Sequence, residues 1–89
     1  MIEIIPSTSF QRDFKKRIKG NTIKENSFYK NIDLFINNPF DPKLKTHKLT
    51  GKLKDLWSFS IDYNLRVVFH WIDENTILLE NIGSHDEVY

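Results

Sequence analysis

The chain has 89 residues, of which 39% are hydrophobic, 13% aromatic and 28% charged, with no cysteine. Large apolar side chains are too frequent for disorder and charges too frequent for a membrane span, while the missing thiols exclude a disulfide scaffold, a thiolate metal centre and a cysteine nucleophile. The formal net charge of +1 hides an asymmetry, because residues 1–54 carry twelve Lys/Arg against five Asp/Glu and residues 55–89 carry one against seven.

A single domain over 1–89 is expected, burying about 60–65% of the surface of its unfolded chain. The start, MIEIIPSTSF, lacks the basic-then-apolar layout of a secretory signal, so a cytoplasmic address is expected. Ile2, Ile4 and Ile5 form a short apolar run closed by Pro6 and predict a strand. Ser7, Thr8 and Ser9 offer N-caps before Phe10, Phe14 and Ile18 recur at helical spacing. Gly20 is placed to end that helix and Asn21 to cap a second one, whose apolar positions Ile23, Phe28, Ile32, Phe35 and Ile36 run to the stop at Asn37-Asn38-Pro39. The Pro-bearing stretch Asn38–Pro42 reads as a connector.

From Trp57 the period changes to two. Trp57, Phe59 and Ile61 alternate with Ser58 and Ser60, and Leu65, Val67, Phe69 and Trp71 alternate with Arg66, Val68 and His70. Two strands follow, joined by the loop Asp62-Tyr63-Asn64, with a third strand over about Thr76–Ile82 after the turn Asp73-Glu74-Asn75. The order is β-α-α-β-β-β, an α+β fold with the helical hairpin packed on one face of a small, mainly antiparallel sheet. The aromatic rows are the expected inner face, which sends Arg66, Val68 and His70 to the open one.

Residues 43–54, KLKTHKLTGKLK, contain five lysines and a histidine with no acid. That density suits a polyanion, and Lys43, Lys45, Lys48, Lys52 and Lys54 are candidate phosphate contacts; a solvated loop is the plainer alternative. Arg66, the one cation after Lys54, needs an anion, either a phosphate held by its fork of donors or a cross-strand acid such as Glu80. The histidines at 47, 70 and 85 do not have the spacing of a metal site, and no metal or cofactor is expected. His47, among lysines, suits a general base and His85, in an acidic tail, a general acid, the polarity needed to cleave a phosphodiester. His70 is a further candidate base or a structural residue. Tyr89 either tucks into the core or stacks on a base.

His47-Lys48-Leu49-Thr50-Gly51-Lys52-Leu53, Leu56-Trp57-Ser58-Phe59-Ser60-Ile61, Arg66-Val67-Val68-Phe69 and Ile82-Gly83-Ser84-His85-Asp86-Glu87-Val88-Tyr89 together resemble the RelE/ParE superfamily of type II toxin–antitoxin toxins. The resemblance implies an endoribonuclease, an mRNA interferase that inhibits translation by cleaving mRNA on the ribosome or free. It also implies a cognate antitoxin as partner in a hetero-oligomer, and no membrane. Residue by residue it implies Arg66 at the scissile phosphate, His85 as acid, Tyr89 stacked on a base and His47 as base, a set closest to the YoeB and YafQ members. The strand lysines of RelE fall on apolar or serine positions such as Trp57 and Phe59, and further acid and histidine positions of YafQ fall on Ser58, Ser60 and Asn64. The lysine mechanism is therefore not expected. A ParE-like inhibitor of DNA gyrase, which cleaves nothing, is the alternative on the same fold.

Overall fold

Residues 1–51 and 55–84 are described by the computed structural model. Strand β1 (Glu3–Pro6) leads directly into helix α1 (Thr8–Arg17), because Pro6 ends the ladder and the Ser7 hydroxyl accepts from Phe10 N at 3.0 Å as the N-cap. Lys15, Lys16 and Arg17 occupy the last turn, where cations oppose the partial negative charge of the helix C-terminus. Gly20, at φ +90°, makes the left-handed turn, and Asn21 caps helix α2 (Thr22–Asn37) by accepting from Lys24 N at 3.1 Å. Both caps lie where the sequence placed them.

A 3₁₀ turn (Pro42–Leu44) follows, then β2 (His47–Lys48), β3 (Trp57–Ser60), β4 (Leu65–Asp73) and β5 (Thr76–Ser84). The sheet order is β1-β5-β4-β3-β2. β1 pairs parallel with β5, from Glu3↔Thr76 to Pro6↔Leu79, and the other pairs are antiparallel. The fold is therefore the expected α+β arrangement with one strand added. Two-residue β2 has no periodicity to read and exists through its pairing with β3.

The core sits between α1, α2 and one sheet face, and includes Phe10, Ile18, Phe28, Phe35, Phe59, Phe69 and Leu79. Phe35 is its centre: its ring stacks on Phe59 at 4.6 Å and meets Phe69 edge-on at 5.2 Å. Trp57 and Trp71 lie on this face but are only partly buried. α2 ends at Asn37, so this end of the sheet is roofed by the connector ring Phe40 instead of a helix. The opposite face is less open than its alternation suggests: Ser58 is 0% exposed, Ser60 6% and Val68 5%. Leu49 and Val68 are buried apolar residues outside the main cluster.

One polar clamp locks the layers together. Asn31 of α2 donates its amide to the carbonyls of Ser60 (2.8 Å) and Ile61 (2.7 Å), the end of β3 that turns toward Arg66. Leaving both carbonyls without that donor is expected to cost about 1–3 kcal/mol in Asn31→Leu, read as a lower denaturant midpoint at constant slope. An unchanged midpoint would show that water replaces the amide fully.

Candidate active site

The connector after α2 is built to present His47. Asp41 Oδ1 accepts from Lys43 N at 2.9 Å, the Thr46 hydroxyl donates to the Pro39 carbonyl at 2.6 Å, and Lys45 adopts a left-handed φ of 53°. The turn brings His47 Nδ1 to 2.8 Å from the Lys45 carbonyl. A carbonyl only accepts, so Nδ1 carries the hydrogen, and in the neutral ring the lone pair resides on Nε2. The side chain is exposed, on the edge strand β2.

Arg66 is preset by the β3–β4 hairpin. Asp62 Oδ1 accepts from Asn64 N and Leu65 N, both at 2.8 Å, which fixes the turn. Arg66 Nη1 then donates to the carbonyls of Asp62 (2.9 Å), Leu65 (3.2 Å) and Tyr63 (3.4 Å). One arm of the guanidinium is thus tied to the turn. The acid considered as its partner, Glu80, lies instead 3.8 Å from His70 Nδ1, an ion pair when the imidazole is protonated.

Strand register places these groups on one face. His47 is opposite Ser58 and Ser58 opposite Val68, while Ser60 is opposite Arg66 and Arg66 opposite Gly83. Residues paired across a ladder point the same way, as do residues two apart, so His47, Ser58, Ser60 and Arg66 share a side. Two strand spacings across and two residues along separate the Cα atoms of His47 and Arg66 by about 12 Å. Among the described residues the Ser60 hydroxyl, buried on the strand opposite Arg66, has no hydrogen-bond partner. In the sequence Ser60 is a polar position alternating with the aromatic row and a departure from the family pattern; its burial follows only from strand pairing.

β5 carries the chain toward the tail through groups from α1. Past Pro6 the β1 edge ends, and β5 is completed by side chains: the Ser7 hydroxyl donates to the Glu80 carbonyl at 3.0 Å and Asp13 Oδ2 accepts from Ile82 N at 3.0 Å. A register shift between Val68 and Phe69 leaves Glu80 as the extra residue there. Lys43, Lys45 and Lys48 are exposed on the segment that carries His47. The candidates Lys52, Lys54, His85 and Tyr89 lie outside the described residues. Among the described residues no group of three or more His, Cys, Asp or Glu is arranged to hold a metal ion, and no helix is long and apolar enough to cross a membrane.

Similarity to known proteins follows the same lines. A metal-bound toxin from Helicobacter pylori is 32% identical, with each chain covered in full and a TM-score of 0.77. The E. coli DinJ–YafQ complex contains a chain 20% identical, with 100% and 99% coverage and a TM-score of 0.72. The Staphylococcus aureus YoeB–YefM complex contains one 21% identical, with 96% and 98% coverage and a TM-score of 0.74; at these identities the two complexes speak for the fold. No curated protein matches the chain by sequence. The family described as "Bacterial toxin of type II toxin-antitoxin system, YafQ" matches residues 2–89. The chain belongs to this YafQ family of type II toxin–antitoxin toxins.

Proposed function

We propose that the toxin is an endoribonuclease that cleaves mRNA by metal-independent acid–base chemistry, acting in the cytoplasm and on the ribosome. The observation that carries this reading is His47, its Nδ1 held by the Lys45 carbonyl, on the same sheet face as an Arg66 already held by its turn. His47 Nε2 takes the proton of a ribose 2′-hydroxyl. The 2′-oxygen bonds to the adjacent phosphorus and the bond to the 5′-oxygen breaks. Arg66 stabilises the charge gathering on the phosphoryl oxygens, His85 protonates the departing 5′-oxygen, and Tyr89 stacks on a flanking base. Lys43, Lys45, Lys48, Lys52 and Lys54 attract the RNA backbone without reading its bases. A gyrase-inhibiting role needs no acid–base pair and finds no support in the family match.

The products are expected to carry a 2′,3′-cyclic phosphate and a 5′-hydroxyl, with cleavage persisting in EDTA under conditions that preserve ribosomes. A substrate with a single 2′-deoxy sugar at the cut site is expected to resist cleavage. Cutting at the normal rate would remove the 2′-hydroxyl as nucleophile, and the roles of His47 and His85 with it.

Neutralisation belongs to a cognate antitoxin, as the complexes of similar toxins suggest. An apolar groove of about 900 Å³ runs beside Phe10, Phe14, Phe28 and Ile32. Three cations at its margin, Arg12, Lys15 and Lys19, against the single acid Glu25 suit an antitoxin segment that is both apolar and acidic.

A further inference from the structure

The connector carries an aromatic ring that is more than half exposed although it packs on two tryptophans. Phe40 is 57% exposed in a loop whose shape is already held by the Thr46–Pro39 and Asp41–Lys43 hydrogen bonds. Its ring lies nearly parallel to Trp71, 6.4 Å away at 20°, and meets Trp57 edge-on at 6.0 Å. Phe35 stacks behind Trp71 at 6.1 Å, so the exposed ring is backed by a row of aromatics anchored in the core. Lys48 is the register partner of Trp57 and points to the same side, and Lys43 and Lys45 are exposed on the same connector. Two nearby carboxylates, Asp41 and Asp73, are engaged as turn caps on Lys43 N and Asn75 N.

A rigid aromatic ring beside cations has the composition of a stacking site for unpaired bases: the ring takes any base face, and the cations take the phosphates on either side. Because the ring already packs on Trp57 and Trp71, stacking costs less ordering entropy than it would on a free side chain. The patch lies across edge strand β2 from His47: residue 47 points to the face of Arg66 and residue 48 to the face of Trp57. An RNA strand passing over this edge meets both faces. We propose that Phe40, backed by Trp57 and Trp71 and flanked by Lys48, is a stacking platform for an RNA base outside the cleavage site. The identity of this ligand rests on the endoribonuclease reading. An antitoxin segment is the competing occupant, and the cations with an uncharged flat ring favour the nucleic acid.

Trp57 and Trp71 are the chain's two tryptophans, so a base stacked at Phe40 reports itself as quenching of intrinsic fluorescence. An adenine-rich 2′-O-methyl oligoribonucleotide cannot be cleaved and is titrated into the wild-type toxin. Quenching is expected, with Phe40→Ala and Phe40→Leu weakening binding roughly 5- to 150-fold and Phe40→Tyr staying close to wild type. All three variants are expected to stay folded, Phe40→Tyr at the wild-type thermal midpoint and Phe40→Ala and Phe40→Leu with a far smaller loss than a core truncation, since the ring is more than half exposed. Binding by Phe40→Ala or Phe40→Leu at wild-type affinity, or no quenching at saturating RNA, overturns the platform; so does a loss confined to antitoxin binding. Uncut cleavable RNA together with a Phe40-dependent affinity fails the nuclease reading alone. Cut RNA with a Phe40-independent affinity fails the platform alone.

Discussion

Arg66→Ala and His85→Ala are each expected to lower the rate of mRNA cleavage on the order of 10²–10⁴-fold while leaving a folded protein. The loss at Arg66 comes from its geometry as well as its charge. Its Nη1 is spent on three carbonyls of the hairpin turn, which orients the remaining donors before substrate arrives. A preorganised fork costs no reorganisation as charge develops on the phosphoryl oxygens, whereas a lysine supplies only a mobile point charge. Arg66→Lys is therefore expected to recover little of the rate. Recovery to near wild type would reduce Arg66 to a general source of positive potential. His47→Ala is expected to lose less than His85→Ala if another base such as His70 substitutes. Single-turnover cleavage, with circular dichroism to verify folding, separates these outcomes.

The largest effect on stability is expected at Phe35. The residue is 0% exposed and its ring touches Phe59, Phe69 and Trp71 at once. Phe35→Ala removes the ring and leaves a cavity walled by β3, β4 and α2 that these elements cannot close without breaking the sheet. The cost is about 3–5 kcal/mol, a large share of the stability of a domain this small. A fall in the thermal midpoint of roughly 15–30 °C is the corresponding readout. Phe40→Ala is the matched control, because it deletes the same ring from a place that is 57% exposed. If both variants melt together, the core is centred elsewhere. Phe59→Ala and Phe69→Ala are expected to be similarly costly, and not additive with Phe35→Ala because the rings share contacts.

Local features of this chain were legible in its sequence wherever the encoding is itself local. Ser7 and Asn21 cap the two helices, Gly20 turns left-handed between them, and the alternation across residues 57–61 and 65–71 separates an aromatic face from a polar one. Each follows from backbone preference or side-chain period within a few residues. The facing of His47 and Arg66 toward one side was open until pairing fixed the register. Nothing in His-Lys marks a strand; β2 forms because β3 offers an unpaired edge. The parallel docking of β1 on β5, completed by Ser7 and Asp13 once Pro6 ends the ladder, joins groups up to 73 residues apart. The same holds for Asn31, whose amide reaches carbonyls 29 and 30 residues away, and for Ser58 and Val68, buried on a face that alternation alone assigns to solvent. Phe40 reads in sequence as one residue of a proline-bearing connector. It becomes a candidate platform only because α2 stops at Asn37, leaving its ring to roof Trp57 and Trp71. Composition and period determine which face of an element is apolar; where elements end and which edges they complete is decided by the competition to satisfy every buried backbone group and fill every apolar gap.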